Sequence, residues 1–420
     1  MSTMEQLKKG FYKWELLVWL WLAFFLNQAD RQIFNVVLPA IKDDLGLSDT
    51  QLGLVSSLFV LTIGVFIPIA GFAGDIFSRK KIIVISVFFW SLSTVFTGMS
   101  YSLIHLILFR SLAVGGGEAF YAPAANALIG QYHQKTRALA MSIHQTSLYF
   151  GVIVSGLLGG FIAERYGWHY AFFIFGFAGI LIAFLIAWRL KKTPVMQYSV
   201  ANTNKWGFLR ESSIALFKKP TAILLGLAFA CLVFVNVGYL TWMPTFLHEN
   251  FGLSLTEAGF SSMFYHHIFA FFGIICGGLL SDKLALKNKK KRLVIQSLGL
   301  LLGAPFIYFL GGATTATMAY VFLGGFGFFR GIYEANLYAS LFDVIEPEYR
   351  STSVGIISMF AFVTGALSPV ILGFLKPTVG LQGGISILSI AYLAGAVFIY
   401  LALKFFFDRD SALKRQETAD

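Results

Sequence analysis

Charge is what this sequence has least of. Only 13% of its 420 residues are Asp, Glu, Lys or Arg, against about 25% in ordinary soluble domains. In their place, 57% are hydrophobic and the mean hydropathy is +0.73, which excludes a soluble domain. Cysteine is nearly missing too. Cys231 and Cys276 both sit in apolar stretches, so no disulfide framework is expected. No His or Cys spacing suits a metal, and no nucleotide loop or nucleophile constellation appears, so neither cofactor nor enzymatic activity is expected. A cleavable signal is absent by the same reading. The apolar run after Lys8, Lys9 and Lys13 is too long for one and lacks a small-residue cleavage site.

Long apolar runs are what the chain has instead. Windows of membrane-spanning length fall at about 16–40, 51–73, 82–100, 102–130, 138–163 and 168–188, then at about 221–247, 254–281, 293–312, 314–342, 352–375 and 383–407. They are continuously apolar rather than alternating, which favours helices over a barrel. The expectation is an all-α membrane protein with twelve transmembrane helices in two six-helix bundles. The first bundle would cover 1–190 and the second 220–420, joined by a polar cytoplasmic linker at 191–219. With the N-terminus inside, 26 of the 32 Lys and Arg residues fall on the cytoplasmic side and three, Lys42, Arg165 and Lys376, outside. That asymmetry places both termini in the cytoplasm. It also accounts for the net charge of +11 without a nucleic-acid partner.

The two halves echo each other. Gly71, Asp75 and Arg79 follow the second span, and Gly278 and Asp282 follow the eighth, with Asp282 207 residues beyond Asp75. Arg110, Glu118 and then Arg137 are matched by Arg330, Glu334 and then Arg350 at an offset of 213 between the last pair. Such parallel half-repeats are a transporter architecture.

Six charges interrupt the spans: Asp30, Arg31, Arg110, Glu118, Arg330 and Glu334. An ionised group at mid-bilayer costs roughly 2.5–3.5 kcal/mol even on the lenient insertion scale, so each needs a partner or a wet cavity. Asp30 and Arg31 are either a staple between helices or part of a pathway. Arg330 and Glu334 are four apart and can neutralise each other on one face. Arg110 and Glu118 are two turns apart, about 12 Å along the axis, and must look to another helix or a substrate. Carboxylates in a cavity that opens to either side can carry protons, which suits Asp30 and Glu118. Arg31 and Arg110 suit a fixed clamp on a carboxylate. Asn27, Tyr121, Gln145, Tyr149, Asn236, Tyr239, His266, Tyr333 and Asn336 would complete a polar cavity, although each residue alone also suits an interhelical hydrogen bond. His266 and His267 either titrate near neutral pH or pack.

With these residues in view, the whole chain resembles a major facilitator superfamily transporter. The segment Gly71, Asp75, Arg79, Lys80 is similar to that superfamily's Gly-x-x-x-Asp-Arg-x-Gly-Arg-Arg loop, with the first Arg and second Gly replaced. DRQIFNVVLPAIKDDLGLSDTQLGLV and GEAFYAPAANALI resemble bacterial spinster-like proteins. RGIYEANLYASLFDVIEPEYRSTSVGI and FGLSLTEAG resemble the anion:cation symporter group, which takes up sugar acids and related anions. In both groups the Arg of the fourth span stands seven residues before the Glu, whereas here Arg110 and Glu118 are eight apart. The resemblance implies a conformational latch at Gly71, Asp75, Arg79 and Arg137. It further implies proton-coupled symport of a small organic anion by alternating access, or else spinster-like movement of an amphipathic lipid or lysolipid. The expected partners are the small-molecule substrate, protons and the lipid bilayer, with no nucleic acid. The expected setting is a monomer in a bacterial inner membrane.

Overall fold

The computed structural model describes residues 3–134, 136–191, 205–286 and 288–411, so residues 192–204 of the expected linker lie outside the described residues. The chain divides into two units. One is Met1–Tyr198 with Gly252–Phe260, and the other is Ser199–Phe251 with Ser261–Asp420.

In the first unit α1 (Thr3–Val36) is followed by a short α2 (Leu38–Leu45), then α3 (Asp49–Ile76), α4 (Arg79–Gly98), α5 (Leu103–Tyr132), α6 (Arg137–Tyr166) and α7 (Trp168–Arg189). The boundaries have local causes. Gly46 takes φ 61° to close α2, a conformation that glycine adopts without a Cβ clash. Ser48 and Gln51 then form a capping box that starts α3, with Ser48 Oγ accepting from Gln51 N at 3.2 Å. Trp90, Tyr121 and Leu20 are buried where α1, α4 and α5 meet.

The second unit opens with α8 (Lys205–Phe217), then α9 (Pro220–Phe251), α10 (Leu255–Ala285, whose residues up to Phe260 belong to the first unit), α11 (Lys290–Gly311), α12 (Ala316–Glu334), α13 (Leu337–Phe342), α14 (Arg350–Gly365) and α15 (Leu367–Leu401). Nine stretches among the described residues are long and apolar enough to cross a membrane. The last of them, Thr352–Ser411, is broken at Gly380 (φ 68°) and therefore holds two crossings. The charge-bearing α1 and the α12–α13 pair complete twelve. Helices satisfy their backbone polar groups internally, the condition for standing in lipid.

Glycines set the closest approach in this unit. Gly273 and Gly277 of α10 face α12, and Gly327 and Gly331 of α12 face α10. A Cβ on Gly327 would overlap the His266 carbonyl, and one on Gly331 the Ala270 carbonyl. Small residues four apart on both helices let the backbones touch. At one end of the unit Lys219 is buried against Glu346 and donates to the Val344 carbonyl at 3.0 Å. Asp410 Oδ2 accepts from the backbone N–H of Thr221 at 2.9 Å.

Gly327→Ala is expected to lower the apparent melting temperature in detergent, since overpacking a tight contact costs about 1–3 kcal/mol. Gly278→Ala, where an added Cβ meets nothing within 4 Å, is expected to leave it unchanged.

Candidate functional site

The first unit gathers four of the intramembrane charges. Arg31 Nε donates to Glu118 Oε2 at 2.6 Å, joining α1 to α5. Arg110 Nη2 donates to the backbone carbonyl of the same Arg31 at 2.8 Å. Its guanidinium lies 4.1 Å from the Phe59 ring centre and 5.4 Å from that of Phe34, a cation–π cradle. Asp30 Oδ2 is held by the Thr94 hydroxyl of α4. Asp30, Arg110 and Glu118 are buried, whereas the Arg31 side chain keeps 24% of its surface exposed and is the reachable member.

A local feature of α5 brings Arg110 into this group. Residues Leu106–Val114 form a π-helical stretch, in which each hydrogen-bonded ring takes one residue more than in an α-helix. Two α-helical turns span about 7.2 residues, so the extra residue lets a spacing of eight return to the same face. The long Arg110–Glu118 interval is thus absorbed by the backbone. Ser111 Oγ donates to the Val55 carbonyl at 2.7 Å, and Gly115 closes on the Phe59 carbonyl, which docks this stretch on α3.

Hydrogen-bonding capacity is left over. Among the described residues Asp30 Oδ1, Glu118 Oε1, and Arg110 Nε and Nη1 are buried without a hydrogen-bond partner. In native structures such groups are rare and call for a ligand, water or charge to meet them.

The remaining expected residues are placed differently from one another. Gln28 Nε2 donates to Asn27 Oδ1 at 2.9 Å, and both are buried on α1 beside the cluster. Tyr121 is buried, with its hydroxyl engaged by the Leu20 carbonyl at 2.5 Å and its ring stacked on Phe24 and near His144. Gln145 is exposed and Tyr149 half-buried on α6. Of the latch residues, Arg79 Nη1 donates to Gln131 Oε1 at 3.0 Å, and Arg137 is exposed beside Gly130. Gly71 and Asp75 lie on α3, but their side-chain positions fall outside the described part of the structure.

A second charged group forms in the other unit. Arg330 donates to Glu334 Oε1 from Nε at 3.0 Å and from Nη2 at 2.7 Å, the expected i,i+4 pair. Arg330 Nη1 also lies 2.7 Å from His266 Nε2. Arginine only donates, so His266 Nε2 is the acceptor and its ring proton sits on Nδ1. His267 Nδ1 bonds the Met263 carbonyl at 2.7 Å. The Tyr239 hydroxyl donates to the Ser262 carbonyl, and its ring lies 4.5 Å from His266. Asn236 is half-buried one turn earlier on α9, and Tyr333 is fully buried. Asn336 Nδ2 turns back to the Ile332 carbonyl at 3.1 Å on its own segment.

Thr94, Phe59 and Phe34 are not among the residues the sequence singles out. A threonine or phenylalanine inside an apolar span carries no signal of its own; only the packing of α3 and α4 against α1 and α5 reveals their part.

A polytopic helical bundle with a neutralised charge cluster inside its membrane spans defines a multi-pass integral membrane transporter. The Major Facilitator Superfamily profile matches residues 20–369, and the chain belongs to that superfamily. It is 27% identical to the probable galactarate/D-glucarate transporter of Bacillus subtilis, over 94% of this chain and 92% of that protein. It is 26% identical to the hexuronate transporter of the same organism, over 93% of each. In fold it is similar to a bacterial homologue of the human lysosomal transporter spinster, crystallised in an inward-facing, unoccupied conformation. That match has a TM-score of 0.77 at 25% identity and covers 96% of this chain and 98% of the other.

Removing Arg31 is expected to destabilise the protein by about 3–5 kcal/mol, because the Glu118 carboxylate stays buried without its partner, whereas removing Glu118 costs less because Arg31 keeps 24% of its side chain exposed. Arg31→Gln and Glu118→Gln should each lower the apparent melting temperature. The double variant should lose less than the sum of the two, which a thermal double-mutant cycle measures.

Proposed function

We propose that this chain is a secondary active transporter that carries a small organic anion, a sugar acid or other carboxylate, together with protons by alternating access. The observation that carries the reading is the buried cluster of Asp30, Arg31, Arg110 and Glu118, with its unused donors and acceptors. Two arginines and two carboxylates sum to zero. An added carboxylate alone would leave an uncompensated charge in a medium of low dielectric, which is costly. A carboxylate that arrives with a proton does not. The stoichiometry that follows is one proton for each substrate charge.

The residues divide the task. Protonation of Glu118 frees the Arg31 guanidinium, whose planar fork then holds the substrate carboxylate. Arg110 stays fixed on the Arg31 carbonyl and the Phe59 ring and supplies a standing positive charge. Thr94 has one hydroxyl proton and two acceptors in reach, Asp30 Oδ2 and the Trp90 carbonyl at 2.9 Å. An ionised Asp30 takes that proton. A protonated Asp30 donates to Thr94 Oγ1 instead, and Thr94 turns to Trp90. Asp30 therefore changes charge without losing its hydrogen bond. Gly71, Asp75, Arg79 and Arg137 act as a conformational latch in this reading. Both termini lie in the cytoplasm, and the chain works as a monomer in a bacterial inner membrane.

Similarity to the spinster homologue supports a second reading, in which the cargo is an amphipathic lipid or lysolipid. Uptake into proteoliposomes separates the two. Under an inward proton gradient the wild type is expected to concentrate a hexuronate or aldarate, with a protonophore abolishing accumulation and sodium removal leaving it intact. Glu118→Gln and Asp30→Asn should each cut accumulation at least about tenfold, equivalent to ~1.4 kcal/mol, while keeping substrate exchange at equal pH. Undiminished accumulation in both variants overturns the proton assignment. Inhibition by lysolipid but not by carboxylates overturns the anion reading.

A further inference from the structure

An open groove of about 720 Å³ runs along the outer surface of the first unit, walled by α3, α4 and α5. It has no part in the charge cluster. Its walls are apolar, with Phe77, Phe89 and Leu108 among them, each exposed by 47% or more. The α5 wall extends from Leu108 to Phe120, twelve residues or about 18 Å at 1.5 Å per residue. That is close to one leaflet of a hydrocarbon core about 30 Å thick. At Gly116 a Cβ would meet nothing within 4 Å, so the missing side chain opens the floor.

Among the described residues the groove has one charged residue, and it stands at one end. Lys81 lines the wall beside Phe77, near the start of α4, where the basic run Arg79, Lys80, Lys81 emerges. Its two neighbours are engaged elsewhere: Arg79 with Gln131, and Lys80 with the Leu190 carbonyl. Among the described residues Lys81 has no hydrogen bond or ion pair, and its side chain is exposed. An apolar channel of acyl-chain length with, among the described residues, a single cation at one end is complementary to one kind of occupant.

We propose that this groove is a binding site for an anionic glycerophospholipid. One acyl chain lies along α5 over Gly116 towards Leu108, and the phosphate-bearing headgroup is held by Lys81. The lipid comes from the leaflet at the basic end of the bundle, the cytoplasmic one in the orientation proposed above. The site does not depend on which cargo the protein carries.

Native mass spectrometry of the full chain in detergent tests the proposal with two probes of matched acyl chains, phosphatidylglycerol and phosphatidylethanolamine. The wild type is expected to retain one phosphatidylglycerol with at least about tenfold preference, equivalent to ~1.4 kcal/mol. Lys81→Gln should bring the two lipids within about twofold, equivalent to ~0.4 kcal/mol. Gly116→Leu fills space already open and should lose that lipid at an unchanged melting temperature. On the wild type, a phosphatidylglycerol with a photoreactive group at its chain end should crosslink to peptides containing Leu108 or Leu112. Crosslinks confined to other helices would falsify the placement, whatever the variants do. Undiminished phosphatidylglycerol preference in Lys81→Gln overturns the headgroup assignment, and equal retention of both lipids by the wild type makes the groove a non-selective lipid or detergent contact.

Discussion

A charge inside a bilayer has to be answered by another group within a few ångströms, and the first unit meets that constraint at a single residue. Arg31 offers two different groups to α5: its guanidinium pairs with Glu118, and its backbone carbonyl accepts from Arg110. Both ends of an eight-residue interval on α5 are therefore tied to one position on α1. The contacts around this knot serve it. Phe59 and Phe34 take the face of Arg110, Ser111 docks α5 on α3, and Thr94 holds Asp30 from α4. Four helices converge because four charges have nowhere else to go.

The second unit satisfies the same constraint by another route. Arg330 and Glu334 are one turn apart, so they pair on α12 itself, and the glycine contacts between α10 and α12 bring His266 to the remaining face of the arginine. Two halves that echo each other in sequence thus differ in what they leave open. Arg330 has an acceptor on each of its three nitrogens, Glu334 for two and His266 for one. In the first unit Arg110 Nε and Nη1, Asp30 Oδ1 and Glu118 Oε1 stay unmatched among the described residues. That difference supports the proposal that the first unit handles the anion and the protons.

Much of this was legible before any coordinates. Continuous apolar runs mark the crossings, and charges within them stand out because each is costly there. The separation of Arg330 from Glu334 announced their pairing, and the distance between Arg110 and Glu118 announced that each needed another helix. Less legible were the hydroxyl of Thr94, the ring of Phe59 and the engagement of Tyr121 with the Leu20 carbonyl. These residues suit any apolar or interfacial helix position and acquire a role only through what packs beside them. The groove over Gly116 belongs with them, since a glycine shows as a gap only when its neighbours fail to fill it.

By itself, the sequence determined the number of crossings and which side chains had to be sheltered, because solvation costs are local and follow from residue type. Only the tertiary structure decided who shelters whom. The spacing of eight between Arg110 and Glu118 looked out of register for a regular helix, and the π-helical stretch at Leu106–Val114 puts it back. Hydrogen bonds across helices depend on rotational phase to a fraction of a turn. One extra residue in a backbone ring shifts that phase, and such a shift is a property of the packed helix rather than of any residue in it.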